Sequence, residues 1–115
     1  MNEWDLLTSE QYLRDIKKLI KRYPRETRQM LSNLVAYQQE LSTHGNPLLM
    51  VEHAFVHRES SGCHAITQQP LAHAAQTRLY LYCHIQGHVI HLICAGDKTS
   101  QPRDNQFCRQ YIDNL

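Results

Sequence analysis

Two β-rich runs, Thr77 to Ile85 and His88 to Cys94, are separated only by Gln86-Gly87, and this pattern constrains the chain more than any other. Branched and aromatic residues suit a pleated surface, and a two-residue link containing glycine suits a tight hairpin. Strand alternation then places Leu79, Leu81, Cys83 and Ile85 on one face and Arg78, Tyr80, Tyr82 and His84 on the other. With Gln86-Gly87 as the turn, Leu81 opposes Leu92 and Tyr82 opposes His91. Ile90, Leu92 and Cys94 join the first face, while Val89, His91 and Ile93 join the second. The first is predicted to be core, with Cys83 and Cys94 together as small apolar residues. The second is predicted to be an aromatic, cationic and imidazole-bearing surface.

The segments before the hairpin change period. Ser9-Glu10 followed by Leu13, Ile16, Leu19 and Ile20 predicts an amphipathic helix ending near Arg22. Its opposite face carries Arg14, Asp15, Lys17, Lys18 and Lys21. Pro24 suits the first turn of a second helix, in which Met30, Leu31, Leu34, Tyr37 and Leu41 recur at helical spacing until about Thr43. Gly45-Asn46-Pro47 ends it. Val51 to Arg58 and Cys63 to Thr67 read as short strands flanking the turn Glu59-Ser60-Ser61-Gly62, and Gln68 to Gln76 as a loop. Beyond the hairpin, Ala95 to Asp104 reads as a polar turn and Asn105 to Leu115 as a last helix with Phe107, Tyr111 and Leu115 inward. The predicted class is α+β: a helical hairpin packed on a small, mainly antiparallel sheet ending in a long β-hairpin, then a short C-terminal helix. Its 115 residues suffice for one domain, 1–115.

Twelve basic and eleven acidic residues leave a formal charge of +1, a balance that does not by itself point to a polyanionic partner. No apolar run approaches the roughly 20 residues of a membrane span, and the first residues are not a basic leader. A cytoplasmic location is therefore expected. Cys63, Cys83, Cys94 and Cys108 form no CxxC pair and read as free thiols. His84, His88 and His91 cluster in sequence, but alternation separates His88 from the other two, and no zinc spacing occurs.

Arg78-Leu79-Tyr80-Leu81-Tyr82, the turn, the apolar run Val89 to Cys94 and then Ala95-Gly96-Asp97-Lys98-Thr99-Ser100-Gln101 resemble the C-terminal signature of RelE/HigB-type killer proteins, in the RelE/ParE toxin superfamily. About 30 residues carry this likeness. Before Arg78 the chain departs from it: Ala54 to Arg58 and Cys63 to Thr67 stand where a Glu-Leu-Arg strand is usual. The resemblance implies the toxin of a toxin–antitoxin module, a ribosome-dependent endoribonuclease that cleaves mRNA and inhibits translation, with a cognate antitoxin, the ribosome and mRNA as partners and no cofactor. The alternative is a non-enzymatic toxin or binder of the same fold, such as a ParE-like DNA gyrase inhibitor.

Metal-free RNA cleavage needs a base for the ribose 2′-OH, an acid for the leaving oxygen and cations for the phosphorane. Arg78, Tyr82, His91 and Lys98 are the candidate catalytic residues, and Arg58, His64, Tyr80, His84 and Arg103 the candidate RNA-binding ones. Each has a structural alternative. Arg78 can pair with a carboxylate on the sheet, and Tyr82 and His91 can serve only as a cross-strand pair. Tyr80 can be packing, Lys98 a solvated turn residue and Arg103 an ion-pair partner of Asp104 or Asp113. Asp97 is read as a cap. The basic face of the first helix (Arg14, Lys17, Lys18, Lys21, Arg22) is either simply solvated or a surface for ribosomal RNA.

Overall fold

A computed structural model describes residues 3–47, 50, 53–72 and 75–115. The architecture is α+β, with three α-helices and a five-stranded mixed sheet among the described residues. The strands are β1 (Asp5–Thr8), β2 (Val56–Arg58), β3 (His64–Thr67), β4 (Thr77–His84) and β5 (Val89–Asp97), in the order β1-β5-β4-β3-β2. All neighbours are antiparallel except β1, which runs parallel to β5. The helices are α1 (Glu10–Arg22), α2 (Pro24–His44) and α3 (Gln101–Asp113). No helix among the described residues is long and apolar enough to cross a membrane.

The helix boundaries follow from local chemistry. Ser9 caps α1: its Oγ accepts from the Tyr12 N–H at 3.0 Å. The same hydroxyl donates to the Ile93 carbonyl at 2.6 Å, so the cap also fixes α1 against β5. Pro24 opens α2, and Gly45 closes it in the left-handed region at φ 72°. Met30, Leu34, Tyr37 and Leu41 of α2 are buried as their spacing predicts. In α1 the inward stripe is Tyr12, Ile16 and Leu19, whereas Leu13 lies half exposed on its shoulder.

The β4–β5 turn is a β-turn in which the His88 N–H bonds the Ile85 carbonyl at 3.3 Å, and Tyr82 opposes His91. Ile85 sits in that turn and is exposed, not in the core as alternation alone implied. The predicted register holds as far as Leu81 and Leu92, and then a bulge shifts it, so that Tyr80 opposes Cys94. One extra residue in a strand turns everything beyond it to the other face. Cys94 therefore leaves the face of Cys83 and joins Tyr80 and Ile93.

That bulge serves a sheet covered on both faces. The α1 and α2 side chains pack on Leu79, Leu81, Ile90, Leu92 and Ala95. On the other face α3 lays Cys108, with half-buried Phe107, Tyr111 and Ile112, over Ala65, Tyr80, Ile93 and Cys94. The second face is thus a smaller core, where the sequence suggested an open polar surface. Leu115 stays exposed and takes no part. Three further segments differ from the sequence reading. Asp5–Thr8 is an edge strand of only four exposed residues, too short to show a period. The 51–58 strand shortens to Val56–Arg58, since residues 53–55 form a turn and 51–52 lie outside the described residues. Ala95–Asp97 extends β5, and a 3-10 turn, Lys98–Ser100, leads directly into α3. The 68–76 loop stands where expected, residues 73–74 lying outside the described residues.

Docking of α3 depends on Gly96. A Cβ there would collide with Ser100 Oγ and Asp104 Oδ2. Gly96→Ala is therefore expected to lower stability by about 1–3 kcal/mol through overpacking, read as a reduced urea midpoint with an unchanged slope.

Candidate functional site

The candidate residues separate into three places. At the open end of the hairpin Arg78 lies beneath the start of α3. Its Nη1 donates to Glu59 Oε2 at 3.4 Å, and both side chains are almost wholly buried. Glu59 Oε1 accepts from Gln101 Nε2 at 2.9 Å and from Asn105 Nδ2 at 3.0 Å. Beside them Tyr80 is fully buried. Burial first, then the Asp104 and Glu59 carboxylates, pushes its phenol far up. Arg78 Nε and Tyr80 OH are buried and have no hydrogen-bond partner among the described residues. Arg78 is thus paired with a carboxylate, and Tyr80 lies inside the core that α3 covers.

The turn end of the same face, four residues along β4 and roughly 13 Å away, is different. His91 Nδ1 is 3.0 Å from Tyr111 OH, whose ring meets the imidazole edge-on at 5.7 Å. Tyr82 is tilted against His91 at 6.4 Å. Burial, and secondarily the neighbouring His84, lowers the His91 pKa and so favours the neutral imidazole. Burial raises Tyr111. His84 is exposed at the rim. A neutral imidazole held by a phenol can accept a proton. Arg78 and Lys98 do not reach it, being at the far end of the strands, so the four proposed catalytic residues form no single constellation.

Arg58 and His64 are cross-strand partners, and His64 also opposes Leu81, which places both on the α1–α2 face of the sheet. They join neither group. Burial, then the adjacent Arg58, lowers His64. His88 stacks on Trp4 at 4.9 Å. No group of three or more His, Cys, Asp or Glu side chains among the described residues is disposed to hold a metal ion.

The third place is a cleft of about 390 Å³ between α1 and the turn preceding α3. Lys18, Leu19, Arg22 and Tyr23 form one wall, and Ala95, Gly96, Asp97, Thr99, Ser100 and Arg103 the other. Its floor is built by hydrogen bonds. Beyond Ser9 the outer edge of β5 has no strand partner among the described residues, and Asp15 Oδ2 instead accepts from the Ala95 N–H at 3.0 Å. Asp97 accepts from the Thr99 and Ser100 N–H groups at 3.0 and 3.2 Å, capping the 3-10 turn. These bonds, led by that from the Thr99 hydroxyl, lower its pKa. Behind Ser100, outside the cleft lining, Asp104 accepts from Ser100 Oγ at 2.7 Å and lies 3.9 Å from Arg103 Nε. Burial dominates there and raises the Asp104 pKa to about 6. Both basic residues of α1 in the wall, with exposed Arg103, thus border one concave surface, and Arg22 also lies over the Tyr23 ring at 5.2 Å. Lys98 is exposed on the turn itself. Seven of the twelve Lys and Arg residues fall between Arg14 and Arg28, so the near-neutral chain is strongly polarised.

Glu59, Asp15, Ser100, Asp104 and Tyr111 carry these sites and were absent from the sequence-based candidates. Phe107 and Tyr111, four apart on the inward face of the last helix, were the available signal that something must cover Tyr80 and Ile93. No protein-family model matches the chain, and no curated protein or solved structure matches it.

Two stability measurements follow. Glu59→Ala leaves the Arg78 guanidinium buried without its carboxylate and is expected to cost about 3–5 kcal/mol in chemical denaturation. Asp104 is raised in the fold from 3.8 to about 6, so the native state holds its proton more tightly than the unfolded chain. Its ionisation therefore costs nothing below pH 4 and destabilises progressively as pH rises through 4 to 6. Asp104→Asn should accordingly gain on the wild type by about 1–3 kcal/mol between pH 4 and 7, and a constant difference across that range would reject the assignment.

Proposed function

We propose that the protein is an RNA-directed toxin of the RelE/HigB kind that grips the phosphodiester backbone in the cleft between α1 and the turn ahead of α3. One juxtaposition carries this reading. The Gly96–Gln101 segment, which bears the resemblance, closes against the basic face of α1, so that Lys18 and Arg22 stand opposite Arg103 across a concave wall. Guanidinium and ammonium groups bind phosphate with charge-assisted hydrogen bonds, and local rather than net charge draws a polyanion in. In the enzymatic form of this reading, a ribosome-dependent mRNA endonuclease, the proton-transfer group is His91 held by Tyr111. Burial favours the neutral form of the imidazole, the form that can take the 2′-OH proton. A cognate antitoxin, the ribosome and mRNA are the partners, and the compartment is the cytoplasm.

A second reading, a toxin or binder of the same fold that does not cut RNA, such as a gyrase inhibitor, is favoured by Arg78. Its guanidinium is held by Glu59 far from His91, whereas a phosphorane needs a cation beside the proton-transfer group.

Fluorescence anisotropy with a single-stranded RNA, measured against salt, tests the cleft. Removing one phosphate contact in Arg22→Ala or Lys18→Ala should weaken binding and reduce the log–log salt slope by about 0.7. Unchanged slopes in both variants would remove the cleft from RNA binding. Expression in bacteria with mapping of mRNA 5′ ends then divides the two readings. New ends in translated frames, lost in His91→Ala, mean cleavage, and arrest without new ends means a non-cleaving toxin.

A further inference from the structure

The smaller core is unusual in its sulfur. Of its six buried residues three are cysteines: Cys63, Cys94 and Cys108. Each comes from a different part of the fold, Cys94 from β5, Cys108 from α3 and Cys63 from the turn leading into β3. Cys94 Sγ and Cys108 Sγ are 3.7 Å apart, in van der Waals contact. Cys63 lies on the same cluster and also engages Cys108, but its sulfur is held by Ser61 Oγ at 2.9 Å. Cys83 is excluded, because it faces the other core and bonds Tyr37 OH at 3.3 Å.

We propose that Cys94 and Cys108 are a disulfide-forming site, oxidised by a peroxide to tie α3 covalently to β5. Side-chain rotation must close the 3.7 Å contact to the roughly 2.05 Å of a disulfide. The steps balance. Cys108 gives up its proton and its thiolate attacks one peroxide oxygen. The O–O bond breaks, and the departing hydroxide takes the proton and leaves as water. Cys94 sulfur then attacks the resulting sulfenic acid, the S–O bond breaks and the S–S bond forms. The hydroxyl leaves with the Cys94 proton as a second water. Two thiols are oxidised and one peroxide is reduced to two waters.

The site is slow by construction. Cys108 is pushed up overall, the Cys94 contact and burial outweighing the Cys63 hydrogen bond that lowers it, so its thiolate is scarce. Reaction waits on local opening of α3, which mild denaturant accelerates. Once formed, the bond restrains the unfolded chain across a short loop and holds the helix that carries Asp104 and Tyr111 onto the sheet.

The test is peptide mapping of the full wild-type chain after hydrogen peroxide, in buffer and in urea below the unfolding transition. The expected product is a linked pair of tryptic peptides joining Cys94 to Cys108, lighter by two hydrogens and released by dithiothreitol. It should form faster in urea and raise the thermal midpoint. Trypsin leaves Cys83 and Cys94 on one peptide, so Cys83→Ser is mapped in parallel and should keep the link, as should Cys63→Ser. A Cys63–Cys108 link, sulfinic acid on Cys108 without a link, or unmodified thiols even in urea each overturns the proposal. Because the wild-type protein decides it, misfolding of Cys94→Ser would not obscure the result.

Discussion

Glu59 stands where three elements meet. Its two carboxylate oxygens divide between Arg78 on β4 and the amides of Gln101 and Asn105 on α3. With so little water around it, an ionised carboxylate must be neutralised and hydrogen-bonded, and so must the guanidinium. Each partner thus specifies where the other two can sit. The first turn of α3 is held at one end of the sheet, and the rest of the helix follows across Tyr80, Ile93 and Cys94 to reach His91. Gly96 permits this approach sterically, whereas Glu59 directs it.

The same docking divides the chemistry. With α3 across the sheet, the polar residues of β4 and β5 no longer share one open surface. Arg78 and Tyr80 become buried structure, and at the turn end His91 is buried too, with Tyr82 half-buried and His84 exposed beside it. The cations available to a polyanion are displaced to the rim, where α1 and the turn before α3 converge. Concave geometry and a local excess of Lys and Arg coincide there. The carboxylates that line that cleft, Asp15 and Asp97, accept from backbone N–H groups, and Lys18, Arg22 and Arg103 outnumber them.

Both faces of β5 are buried, and its neighbours are β1 and β4, so it is the most enclosed element. A strand with two buried faces reads as a continuous apolar run, and Val89 to Ala95 does so apart from His91. Val89 and Ile93, assigned by alternation to a supposed polar surface, were already inconsistent with an exposed face.

The sequence by itself determined what local rules govern: the Ser9 cap, Pro24 and Gly45 bounding α2, the inward stripe of α2, and the hairpin register near its turn. Each depends on residues within a few positions of one another. Tertiary structure decided the rest. The bulge that turned Cys94 over, the four-residue strand β1, the burial of Arg78 against Glu59 and the cleft itself arise from residues tens of positions apart. Asp15 shows the limit clearly: on helical periodicity it belongs to the charged outer face. It is instead drawn in by the Ala95 N–H, a donor left unpaired only because β1 stops short of it. Such a group is invisible until the sheet is assembled, because its need for a partner is set by where another strand ends.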